Sequence, residues 1–137
     1  MRRESREKVF QTLFMMDALG VGPDEAIPLF ASAANPPSDK GYYEETVKGV
    51  WTCREEIDAL IRRAAENWRL ERMTLVDRNI LRLGAYEICR SADVPFVVAI
   101  NEAVDLGKRF GSEESGGFIN GILDKISEIS LKKKGKK

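Results

Sequence analysis

The arginines that open the chain are the first residues with chemistry to offer. In MRRESREKVFQTLF, Arg3, Arg6, Phe10 and Phe14 fall along one line of a helix turning about 100° per residue. Guanidiniums hold phosphate oxygens and an aromatic face stacks on an unpaired base, so this line has the makings of a single-stranded RNA contact with Arg2 beside it. Phe14 lies at the margin of the apolar stripe made by Val9, Leu13 and Met16. A core phenylalanine behind a solvated basic end is the other reading, and the pattern alone leaves both open. Phe118 is a second aromatic of this kind. It sits at the edge of the apolar face Ile119, Ile122, Leu123, Ile126, beside Gly116 and Gly117. Arg82, in the polar strip Arg78, Arg82, Tyr86 of an otherwise apolar helix, is counted with the candidate RNA contacts. Glu87 is different: it points into the apolar arc of that same helix. A buried carboxylate needs a partner, which is either a neighbouring Arg, Tyr or backbone donor or a molecule bound at an exposed edge.

Catalysis has little to work with. The chain has no histidine and only two cysteines, Cys53 and Cys89, at no CxxC spacing. The commonest general base and the commonest metal ligand are therefore missing. No glycine-rich phosphate loop follows a strand, and no convincing strand is legible. A non-enzyme without cofactor or metal is expected, its cysteines reduced and mostly buried.

Acidic and basic residues balance at 22 each over 137 residues, so attraction to nucleic acid must come from local clustering. No apolar run suggests a signal peptide or a membrane span, and a cytoplasmic protein is expected. One domain over 1–131 is expected, followed by a basic, disordered tail, 132–137.

Helical spacing predicts an all-α chain of about seven helices. They fall near 4–18, 24–33, 42–51 and 54–68, then from Thr74 to about Ile88, from Pro95 to Phe110, and from Phe118 onward. Thr74-Leu-Val-Asp77 is a capping-box pattern with Asp in place of Glu. Gly20 and Gly22 end the first helix, and SADVP at 91–95 is a loop. Trp68 is read as a core or inter-helix anchor, and Phe110 as part of its helix's apolar half. The phrases ILRLGAYEI, VAINEAVDLGKRFG and FINGILDKI are apolar over wide arcs, so they form the bundle's centre.

In that order, behind the arginine-led first helix and with DVP before the middle phrase, these segments resemble the bacterial transcription antitermination factor NusB over nearly the whole length. The resemblance implies a NusB-like bundle of two small helical subdomains without catalytic activity. It further implies binding of single-stranded boxA RNA together with ribosomal protein NusE, within the transcription elongation complex and chiefly on ribosomal RNA operons. Carried over by position, the arginine-rich segment falls on Arg2, Arg3 and Arg6, and the stacking aromatics on Phe14 and Phe118. The partner-facing acid falls on Asp77, with Glu87 a second candidate. Phe14 stands where tyrosine is more familiar, keeping the ring face without the hydroxyl. Glu4 replaces a further arginine. A homodimer that masks the arginine-rich face is the alternative. A methyltransferase carrying such a domain is a poorer one, since no cofactor-binding βαβ unit is legible here.

Overall fold

The computed structural model describes residues 2–90 and 93–135. Ser91 and Ala92 of the predicted 91–95 loop, and Lys136 and Lys137 of the predicted tail, lie outside the described residues. The helices are α1 (Arg2–Leu19), α2 (Pro23–Ala33), α3 (Lys40–Thr52), α4 (Arg54–Ala64), α5 (Leu75–Arg90), α6 (Phe96–Phe110) and α7 (Ser115–Gly135), with a 3-10 turn at Leu70–Arg72. Among the described residues there is no strand, and no helix is long and apolar enough to cross a membrane.

Helices α1, α2 and α3 pack as one group and α4 to α7 as another, with α1 and α3 laid across α5. The centre is α5. Its Ile80, Leu81, Leu83, Ala85 and Ile88 are all buried, as an arc that wide requires. Ala99, Ala103 and Leu106 of α6 and Ile119, Leu123 and Ile126 of α7 close over it. Gly107 lets α6 and α7 approach, because a Cβ there would stand 2.7 Å from the Ile119 side chain. On the other side, Val9, Phe10, Leu13 and Met16 of α1 and Val47 and Val50 of α3 fill the same core.

The ends of the elements follow from local chemistry. Gly20 takes a positive φ of 70° and the Met16 carbonyl accepts from both Gly20 and Val21, which closes α1. The Asp39 side chain caps α3, and the Thr74 hydroxyl accepts from the Asp77 N–H at the start of α5. Three boundaries differ from those the spacing predicts. α4 stops at Ala64 rather than reaching Trp68, because the chain turns to bury Ala65 and Leu70. α7 starts at Ser115, whose hydroxyl accepts from the Ser112 N–H, so both glycines fall inside its first turn. α7 also continues through Gly135, past the expected start of a disordered tail at residue 132.

Candidate nucleic-acid interface

The line from Arg3 to Phe14 is real, but only its ends reach solvent. Arg3 is largely exposed (62% of its side chain) and Phe14 is half-buried, while Arg6 and Phe10 between them face inward. Arg6 retains 5% exposure. Its Nε and Nη2 donate to the two oxygens of Glu87 at 2.8 and 3.0 Å. Nη1 donates to Glu102 at 3.3 Å, and the Tyr42 hydroxyl donates to Glu87 Oε2 at 3.0 Å. Burial works against the Arg6 charge, but the Glu87 hydrogen bonds and charge outweigh it, and the Arg6 pKa rises. Burial, reinforced by Glu87, also pushes the Tyr42 hydroxyl above its ordinary range.

Two assignments change as a result. Arg6 is not presented to phosphates: it is the inner half of a bidentate buried pair. Glu87, 1% exposed, does not face a partner. It is the carboxylate that needed a donor, and α1 and α3 supply two.

Arg82 changes as well. Its guanidinium donates to Asp58 at 2.8 and 3.1 Å and to Asp17 at 3.0 Å, between α4 and the far end of α1. Asp17 also accepts from Arg78 at 2.8 and 2.9 Å and from Asn79 at 2.9 Å. Burial opposes the Asp17 charge, yet the Arg78 and Asn79 hydrogen bonds and the Arg82 charge hold its carboxyl below the usual range. Asp17, its partner on α1, lies roughly 21 Å along that helix from Arg3, at 1.5 Å per residue, and Arg82 fastens helices together.

Arg2 and Arg3 remain on the surface. Arg2 pairs with Asp93 at 3.3 Å and lies over the Tyr42 ring at 4.8 Å. Arg3 pairs with Asp105 at 2.8 Å and Glu102 at 3.6 Å. The Arg3 hydrogen bond holds the Asp105 carboxyl low, with Arg109 adding to it. Exposed pairs of this kind contribute little to stability, so a phosphate oxygen can take the carboxylate's place.

From Arg3 the face continues along α6. Arg109 joins Asp105 to Glu7 and lies over the Phe110 ring at 5.2 Å. Phe110 is 38% exposed, contrary to its place in the predicted apolar half, and packs on Phe10 at 5.3 Å. Phe10 in turn meets Phe14 edge-on at 6.4 Å. An aromatic row thus runs from Phe14 on α1 through Phe10 to Phe110 at the end of α6, while half-buried Phe118, in the first turn of α7, meets Trp68. Spacing alone missed Phe110; its place just before the helix-ending Gly111 was the available signal.

Asp77 is half-buried at the start of α5, and its Oδ1 is shielded from water without a hydrogen-bond partner among the described residues. Such an acceptor is costly unless a donor arrives from elsewhere. Among the described residues no cluster of His, Cys, Asp and Glu has a metal site's geometry.

The model of the NusB family matches residues 3–128. The chain belongs to the NusB family. The transcription antitermination protein NusB of Desulfatibacillum aliphaticivorans is 49% identical over 126 residues, 91% of this chain and 88% of that protein. T. maritima NusB superposes with a TM-score of 0.83 at 36% identity, covering 93% of this chain and 91% of that one. A structure of antitermination factors NusB and NusE in complex with dsRNA gives a TM-score of 0.83 at 27% identity, over 93% of this chain and 96% of the matched chain. The NusB relatives are named for transcription antitermination, which is not a catalytic role.

Proposed function

We propose that this chain is an antitermination factor that binds single-stranded boxA-type RNA together with ribosomal protein NusE, in support of ribosomal RNA transcription. The observation that carries the reading is the joining of exposed, exchangeable arginines to open aromatic rings on one face. Arg2 and Arg3 offer charge, and Phe14 and Phe110, joined through Phe10, offer ring faces along α1 and the end of α6; Phe118 is added from the family resemblance. A stacked base contributes roughly 1–3 kcal/mol, and each neutralised phosphate on a single strand adds a salt slope near −0.7. A few such contacts on a protein of zero net charge make modest RNA affinity. NusE raises it by bringing a second contact at high effective concentration. Asp77, in the first turn of α5, is the residue that the family resemblance assigns to that protein contact.

The test is a titration of labelled boxA-like and scrambled RNA onto the protein, with and without NusE. Preferential binding of the boxA-like strand, tightened by NusE, is expected. Equal and weak binding of both strands, unchanged by NusE, would remove the reading. A homodimer masking the arginine-rich face would show in sedimentation as a dimer that persists when RNA and NusE are added.

A further inference from the structure

The corner between α4 and α5 carries a feature that the arginine-rich face does not use. Trp68 is 61% exposed, although tryptophan is among the most buried residue types on average. It meets the Phe118 ring edge-on at 5.4 Å and 80°, so the two rings form one aromatic surface with much of the indole in solvent. The flank of Phe118 is bare: a Cβ added at Gly117 or Gly121 would meet nothing within 4 Å.

The charge around this corner differs from that of α1. Residues 62–72 hold four arginines against two glutamates. Arg62 is tied to Glu71 at 2.8 Å, which sets the last turn of α4 beside the 3-10 turn. Exposed Arg63, Arg69 and Arg72 form no ion pair among the described residues. On α1, by contrast, Arg2, Arg3, Arg6 and Lys8 are all paired. Three exposed arginines without an ion pair among the described residues, Arg69 acting on Glu71 only at longer range, thus share this corner with an exposed tryptophan.

We infer that Trp68, with Arg69 and Arg72, extends the RNA path beyond Phe118 and stacks a further base of the single strand. The inference rests on the RNA-binding reading above. An exposed ring with arginines close to it in the chain suits a single strand, whose bases stack on the ring while its phosphates take the guanidiniums.

The full chain is titrated with labelled single-stranded boxA-like RNA as the parent, Trp68→Ala, Trp68→Phe, the pair Arg69→Gln/Arg72→Gln, and Phe14→Ala for comparison. Trp68→Ala weakens binding roughly tenfold, the value of one stacked base, and Trp68→Phe restores most of it. The arginine pair weakens binding and flattens its salt dependence. Parent-like RNA binding by Trp68→Ala, with Phe14→Ala impaired, would overturn the inference alone. Loss of NusE binding in that variant would make the corner a protein contact and overturn it too. Failure of the parent to prefer boxA-like RNA would instead sink the underlying reading. If Trp68→Ala does not fold by circular dichroism, the arginine pair decides: unchanged affinity and salt slope overturn the inference.

Discussion

Removing either partner of the Arg6–Glu87 pair leaves a charge where water does not reach. Both side chains are buried and joined by two hydrogen bonds, so Arg6→Ala or Glu87→Ala should each destabilise the fold by about 3–5 kcal/mol in urea unfolding. Glu87→Gln keeps an acceptor for Arg6 and should cost less than Glu87→Ala. A loss below about 1 kcal/mol for both alanine variants would mean the pair is wet and weak. The partner requirement of Glu87 was legible in the sequence, because a carboxylate in an apolar arc has few alternatives. The fate of Arg6 was not. A helical line says which residues align, but not that α3, α5 and α6 cover the middle of it and leave Arg3 and Phe14 at the margins.

Helix α1 is fastened to α5 at two places by the same chemistry, Arg6 to Glu87 near its start and Asp17 to Arg78 and Arg82 near its end. The second fastening is sensitive to acid. The folded protein keeps Asp17 ionised to a pH below its ordinary 3.8, so its contribution is present above the unfolded value and is lost as pH falls through the lowered one. Unfolding midpoints followed between about pH 5 and pH 2 should fall more steeply for the parent than for Asp17→Asn. Parallel curves would show that this carboxylate is not a source of the acid sensitivity. At this scale, α5 and α6 were legible from periodicity because their apolar arcs are long and uninterrupted. The end of α4 was obscured by continuing helical spacing. What stops that helix is a turn that buries Ala65 and Leu70 and leaves Trp68 outside, a tertiary choice invisible to local pattern. The start of α7 was obscured by Gly116 and Gly117, which read as a loop but lie in the first turn behind Ser115.

Over the whole molecule the formal charge is zero, and the fold sorts that charge rather than adding to it. Guanidiniums that the sequence groups together part company: Arg6 goes inward, Arg82 goes to a helix junction, and Arg2 and Arg3 stay on the surface beside the aromatic row. Family membership was legible from four phrases in order, because together they cover the central helices. The separation of structural from surface arginines was not, since it depends on which carboxylates the packing brings within reach. The most direct test is the salt dependence of single-stranded RNA binding, measured by anisotropy for the parent and for Arg2→Ala/Arg3→Ala. The log–log slope of the variant should be shallower by about 0.7 for each phosphate it no longer neutralises, with NusE binding retained. Identical slopes and affinities for the two proteins would contradict an RNA path along α1 and place the strand on another face.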